Sequence, residues 1–312
     1  MRFNGNRRFN SYVGYFREMY GSRLQKIVID AGFSCPNRDG SITTGGCTYC
    51  NNEAFHPSYS TPDKTISQQL EEGIEFHKRR YRKAEKYLAY FQPYSNTHAP
   101  AETLESRYLE ALSHPLVAGV VIGTRPDCVD DNKLDLLSKL SQKHIVIVEY
   151  GVESIHDKTL QRINRGHNYK CAVDSIIKTA ERGIHMGAHF IFGLPGESRE
   201  EMMQYAIEIN RLPLQSVKFH QLQIVKGTIM EKEYASNPNE FTEMSLPQYL
   251  DFFTDFLEIL RPDIFIERFA GELPPRFVNN NPWGFIRNVE LIRMLEKRLE
   301  ERDTFQSRLF IP

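Results

Sequence analysis

Six times in the first three-quarters of the chain, a short apolar run gives way to a stripe of apolar residues at helical spacing. That alternation is what most restricts the fold. The runs span 26–31, 87–92, 116–123, 145–152, 188–192 and 217–224. Between them lie stripes such as Ile66, Leu70 and Ile74, then Leu134, Leu137 and Leu140, then Ala172, Ile176 and Ala180. Gly183 stands where a helix would stop, and Ser198 caps the next stripe of Met202, Ala206 and Ile209. Strands that alternate with helices pair in parallel through helical crossovers. An open doubly wound sheet and a barrel both satisfy the pattern. In a barrel, chemistry collects in the loops after the strands. The unusual residues of this chain sit there: a cysteine loop after the first run, Asn96 and Thr97 after the second, Arg125 to Asp127 after the third, Glu153 and Ser154 after the fourth, and 193–197 after the fifth.

The cysteine loop holds Cys35, Cys47 and Cys50, three of the five cysteines in the chain. Glycines at 40, 45 and 46 permit backbone angles that turn several thiolates inward. Three thiolates on a four-iron cluster leave one iron open to a small ligand. A structural zinc site is the rival, but zinc wants four ligands, usually as two close pairs. Here one pair has a single partner at Cys35, with His56 as the nearest candidate fourth ligand. Three ordinary buried cysteines are the third reading.

Composition narrows the partners. The chain has 312 residues, 40% of them hydrophobic, and a net charge of −1. No global basic field points to nucleic acid, so such binding would need a local patch. An odd cysteine count clustered at one end suits a reducing compartment. The first residues lack the apolar core of a signal peptide, and no run of about 18 apolar residues occurs, so we expect a cytoplasmic protein with no membrane contact. Residues 1–24 mix Arg2, Arg7, Arg8, Arg17 and Arg23 with aromatics that include Phe9, Tyr12, Tyr15, Phe16 and Tyr20. They read either as an arm packed across one end of the fold or as a single-stranded nucleic-acid contact. Lys78, Arg79, Arg80, Arg82, Lys83 and Lys86 form either a solvated face or a phosphate patch. Residues 231–312 change character, with a helix carrying Phe253, Phe256 and Leu260, a further strand near 263–268, and a final helix carrying Leu291, Leu295 and Leu299. They serve as a substrate platform, as a packing extension, or as both. Cys128 and Cys171 read as small buried hydrophobes, with an active-site role as the alternative for Cys128, and His167, His189 and His220 read as core or structural histidines.

Seven short motifs carry a family resemblance over nearly the whole chain. They are Gly32-Phe-Ser-Cys-Pro-Asn-Arg-Asp-Gly40, Gly45-Gly-Cys-Thr-Tyr-Cys50, Tyr90-Phe-Gln-Pro-Tyr-Ser-Asn-Thr97, Gly123-Thr-Arg-Pro-Asp127, Glu149-Tyr-Gly-Val-Glu-Ser154, Asn164-Arg-Gly-His167 and Phe192-Gly-Leu-Pro-Gly-Glu197. With them the chain resembles radical S-adenosylmethionine (SAM) enzymes of the YhcC/MnmL-type branch, which is related to the catalytic subunit of elongator. Its C-x11-C-x2-C spacing departs from the commoner C-x3-C-x2-C but is similar to that of the elongator-like branch. The resemblance implies an α/β fold, a partial (β/α)6 TIM-type barrel over 25–230, preceded by an arm at 1–24 and followed by a C-terminal α/β extension at 231–312. It implies a [4Fe-4S] cluster on Cys35, Cys47 and Cys50, and SAM held near Tyr49, Gln92, Asn96, Thr97, Glu153, Ser154, Gly193 and Gly196. A low-potential electron donor of flavodoxin or ferredoxin type follows. So does tRNA as a substrate, modified at the C5 side group of its wobble uridine. A small metabolite or a peptide is the alternative substrate, and a zinc-stabilised binding module is the reading outside this chemistry.

Overall fold

The computed structural model describes residues 3, 6–78, 84–280 and 282–312. Arg79, Arg80, Arg82 and Lys83 of the basic run, and Arg2 of the arm, lie outside the described residues. In chain order the elements are α1 (Tyr12–Tyr20), β1 (Arg23–Ile29), α2 (Ile66–Lys78), β2 (Ala84–Phe91), α3 (Ala101–Leu112), β3 (Val117–Thr124), α4 (Asp131–Ser141) and β4 (Ile145–Glu153). They continue with α5 (Asp157–Arg162), α6 (Tyr169–Glu181), β5 (His185–Phe192), α7 (Arg199–Arg211), β6 (Ser216–Gln221), β7 (Ile224–Val225) and α8 (Ile229–Ser236). The last are α9 (Leu246–Ile259), β8 (Phe265–Arg268), β9 (Val278–Asn280) and α10 (Asn288–Glu301). Among the described residues no helix is long and apolar enough to cross a membrane.

The helix ends follow local chemistry. Ser198 and Glu201 form a capping box at the start of α7, as do Ser245 and Gln248 at the start of α9. The chain leaves α6 through Gly183, whose φ of 68° is left-handed.

Seven strands form one parallel sheet in the order β1-β2-β3-β4-β5-β6-β8. Laid flat, its edges would lie roughly 29 Å apart at normal strand spacing. Yet Lys26 Nζ on β1 reaches Glu267 Oε2 beside it in space at 2.5 Å, although Glu267 belongs to β8 at the opposite edge. The sheet is therefore curled into a half-barrel, with β1 and β8 facing each other across an unpaired gap. This is the expected partial barrel, with one strand more than six.

The additional strand is the 263–268 run of the extension. β6 would otherwise end the sheet with an open row of amides and carbonyls, and β8 pairs with it from Ser216↔Phe265. The sixth run stops earlier than expected. After Gln221 the chain leaves the sheet, and Ile224–Val225 pairs antiparallel with β9 instead.

Strand side chains alternate between two faces. Outward residues such as Ile27, Phe91, Val120, Val148 and Phe190 meet the helices in the main core. Phe252, Phe253 and Phe256 of α9 close around Phe192 and Phe219, with ring centroids 4.9 to 5.5 Å apart. The extension is thus packed as part of the core. Inward residues form a second apolar layer low in the barrel, where Leu88, Val121 and Ile147 meet Tyr12 and Phe16 of α1. The arm plugs the bottom of the barrel, so its buried aromatics are not available for stacking on bases. Ile266 N donates to Asn10 O at 2.9 Å, and Asn10 N donates to Gln306 Oε1 at 2.8 Å.

Candidate active site

Above the apolar plug, the C-terminal ends of the strands enclose a cavity of about 220 Å³. Cys35, Cys47 and Cys50 line one wall, all three as free thiols. Local turns bring them there. Arg38 N and Asp39 N both donate to Cys35 O, and Cys50 N donates to Cys47 O. Gly45 and Gly46, with φ of 87° and 80°, reverse the chain between them. A Cβ on Gly46 would also lie 2.9 Å from the Arg38 guanidinium. The loop is fastened to the turn after α5: Asn37 Nδ2 donates to Asn164 O and Arg165 O, Asn164 Nδ2 donates to Gly46 O, and Thr48 N donates to Ile163 O.

Two N–H groups are aimed at sulfur. Asn37 Nδ2 and Arg165 Nη1 each lie 3.6 Å from Cys47 Sγ. Arg165 Nε, Arg125 Nη1 and Asn37 Oδ1 are buried with no hydrogen-bond partner. Donors around a thiolate, and arginine nitrogens left without a hydrogen-bond partner although Arg125 pairs with Asp127 and Arg165 with Glu153, suit a site that receives an anionic iron–sulfur cluster. Among the described residues no three His, Cys, Asp or Glu side chains are grouped to hold a single ion. His56 lines the cavity, but its Nδ1 faces Asp30 Oδ2 at 3.8 Å.

Three of the residues expected around SAM share this cavity: Tyr49, Gln92 and Glu153. Glu153 ends β4 with a left-handed φ of 69°, an unusual conformation for a non-glycine residue. Its Oε1 lies 3.8 Å from Arg165 Nη2. Burial raises its carboxyl above the usual range, against the pull of Arg165. Burial also raises the Tyr49 phenol, and Glu153 raises it further.

The other five stand elsewhere. Asn96 Nδ2 donates to Phe91 O, Pro93 O and Gly123 O, bracing the ends of β2 and β3. Thr97 Oγ1 bonds Thr124 Oγ1 at 2.6 Å and Cys128 O at 2.8 Å. Ser154 Oγ donates to the buried Glu197 Oε1 at 2.6 Å. Gly193, with φ of 89°, lines an adjoining aromatic hollow, and exposed Gly196 donates its N–H to Glu240 O.

The floor of the cavity is polar in a way the linear reading did not anticipate. Lys26, Glu149, Lys218 and Glu267 converge from β1, β4, β6 and β8. Lys218 Nζ donates to Tyr90 OH at 3.1 Å, and His189 Nε2 meets Glu149 Oε2 at 2.8 Å. Arg268 donates to the His220 ring. His189 and His220 are therefore on the cavity wall, not in the apolar core. Burial opposes ionisation of Glu149, but Lys218 and Lys26 hold its carboxyl well below the usual range. Burial lowers the Lys218 ammonium and takes His189 down to about 4, so that ring is neutral. A lone charged residue inside an apolar run, as at Glu149 in 145–152, is the signal that could have marked this floor.

Comparison with known proteins gives the same outline. The family model described as the radical SAM superfamily matches residues 39–208, and that of the radical SAM C-terminal domain matches 214–301. YtqA of Bacillus subtilis (strain 168) is 34% identical over 308 residues, covering 98% of this chain and 94% of that protein. YhcC of Escherichia coli (strain K12) is 35% identical over 295 residues, covering 92% of each. A more distant relative, tRNA uridine(34) acetyltransferase of Dehalococcoides mccartyi (strain CBDB1), is 22% identical over 178 residues, 56% of this chain and 38% of that protein. Among solved structures, the archaeal Methanocaldococcus infernus Elp3 with an N-terminal deletion superposes with a TM-score of 0.68 at 15% identity, covering 91% of this chain and 64% of that one. That likeness is one of fold.

Proposed function

The chain belongs to the radical SAM superfamily, and we propose that it carries a [4Fe-4S] cluster on Cys35, Cys47 and Cys50 and modifies the C5 side group of a tRNA wobble uridine. The observation that carries this reading is the cavity itself: three free thiols on one wall, N–H donors aimed at one of them, and a charged floor beneath. When bound, the cluster and SAM supply reductive cleavage of the sulfonium and a 5′-deoxyadenosyl radical.

The protein's own residues do the rest. Arg165 and Asn37 stabilise negative charge at Cys47. Tyr49, Gln92 and Glu153 offer polar contacts to the SAM side of the cavity. Lys218, Tyr90 and His189 offer fixed donors and acceptors to a polar substrate from below. The plug made by Tyr12 and Phe16 keeps water from entering through the barrel bottom, which protects a reactive intermediate. The tRNA assignment draws its support from the named substrate of the more distant relative. A cytoplasmic location and a flavodoxin- or ferredoxin-type reductant accompany it.

The test is anaerobic reconstitution followed by dithionite and SAM. We expect about four irons per chain, 5′-deoxyadenosine by chromatography, and loss of both in Cys50→Ala. Addition of bulk tRNA and nucleoside mass spectrometry then reads the substrate. Zinc in place of iron with no deoxyadenosine would overturn the radical chemistry; deoxyadenosine with unaltered tRNA would overturn the substrate.

A further inference from the structure

The cations of the outer helices and those of the cavity mouth differ in their pairing. Every lysine and arginine in helices α2 to α7, from Lys78 to Arg211, is ion-paired with a carboxylate. Around the mouth of the cysteine cavity the pattern reverses. Among the described residues Arg38, Lys226, Arg276 and Arg287 have no ion-pair partner. The nearby Glu272 and Glu290 carboxylates accept from the backbone amides of Asn288 and Arg287.

These cations belong to one rim. Arg38 lines the cavity. Asn51 Nδ2, one residue past Cys50, donates to Lys226 O. Lys226 N in turn donates to Phe277 O, which sets Lys226 beside Arg276. Arg287 lines a second hollow of about 170 Å³ that shares Gln221, Gln223 and Leu273 with the cysteine cavity.

Aromatic groups interleave with the charges. Phe285 is 64% exposed at the edge of the second hollow, an unusual position for a phenylalanine. The Arg276 guanidinium stands 4.9 Å from the Phe277 ring. Trp283 lines the same hollow. Unpaired cations that track a backbone, with exposed rings on which bases stack, are how single-stranded nucleic acid is held.

We infer that this rim is the docking surface for a single-stranded RNA loop, with Lys226, Arg276 and Arg287 on phosphates and Phe285 stacked on a base. A base unstacked on the rim then enters the cavity past Gln221 and Gln223. The inference rests on the tRNA reading and adds to it the face through which the RNA arrives.

A fluorescent tRNA anticodon stem-loop, titrated with reconstituted protein over a range of salt concentrations, tests it. The Lys226→Ala/Arg276→Ala/Arg287→Ala variant should bind at least tenfold more weakly, with a salt slope shallower by about 2, from about 0.7 per lost phosphate contact. Phe285→Ala should bind roughly tenfold more weakly with the slope unchanged. Lys170→Ala/Lys178→Ala, on an outer helix, should bind like wild type. Iron content and melting temperature of each variant report folding. Wild-type affinity in the triple variant overturns the surface while leaving the tRNA reading standing. Unchanged RNA affinity with slower cluster reduction by a reduced flavodoxin reassigns the rim to the electron donor. No RNA binding by wild type at low salt removes the tRNA reading, and this inference with it.

Discussion

His185 offers a quantitative test of how the arm seals the barrel. It opens β5, and its ring faces Tyr15 and Phe16 of α1 at centroid distances of 6.1 and 6.5 Å. Its Nε2 is buried with no hydrogen-bond partner. Burial, and then the Lys26 ammonium, lower its pKa from 6.5 to about 4, with Glu149 opposing. The folded state therefore needs the neutral ring, whereas the unfolded chain gains a proton once pH falls below 6.5. The stabilisation is complete above the unfolded value and is lost as pH falls from 6.5 towards about 4. At pH 5 this one group shifts the folding equilibrium toward the unfolded state by a factor of roughly 30, which is about 2 kcal/mol. His185→Phe keeps a ring against Tyr15 and Phe16 and removes the proton. Urea denaturation followed by circular dichroism, for wild type and variant at pH 7.5 and at pH 5, reads the difference. Wild type should lose about 2 kcal/mol more than the variant over that interval. The contributions of His167 and His189, also at about 4, are common to both proteins and cancel. Equal losses would refute the account, because they would mean that His185 is solvated and α1 is not seated over β5.

Two further perturbations probe the sheet and its floor. Glu149→Gln leaves Lys26 and Lys218 with Glu267 as the remaining carboxylate of the four-strand network; it should cost about 3 kcal/mol, the low end for a broken buried pair, and lower the melting temperature by roughly 5–10 °C in a thermal scan. Gly119→Ala would place a Cβ 2.1 Å from the Ile145 carbonyl oxygen across the β3–β4 pair, whereas Gly73→Ala meets side-chain atoms of Ile27 and Tyr59. Backbone yields less readily than side chains, and alanine favours a helix, so denaturation should show Gly119→Ala losing at least about 1 kcal/mol more than Gly73→Ala.

Much of the architecture was legible because period and punctuation are local. The apolar runs at 87–92 and 145–152 fall within β2 and β4 to a residue or so, and the Ser198 cap and Gly183 stop stand where the sequence puts them. Where tertiary pairing decides, the linear reading falls short. Nothing local at Ile224 tells that it leaves β6 for a partner near residue 280. Around the site, the cysteine loop, Tyr49, Gln92 and Glu153 reach the cavity because they directly follow or end strands. Asn96, Thr97 and Ser154 occupy similar positions, yet their polar atoms bond the backbone or a buried carboxylate. The charged floor was missed for a geometric reason. Lys26 and Glu267 are 241 residues apart and meet only because the sheet curls.

The tie between the two ends of the chain has a consequence for synthesis. Asn10 bonds Gln306 across 296 residues and Ile266 across more than 250. At roughly 5–20 residues per second, the arm waits some tens of seconds on the ribosome before β8 exists to receive it. Throughout that time Asn10 lacks both of its partners, Lys26 lacks Glu267, and β6, once made, has a bare edge. Helix α1 is thus fastened at its start only when β8 and Gln306 arrive, and until then the nascent half-barrel keeps an exposed strand edge.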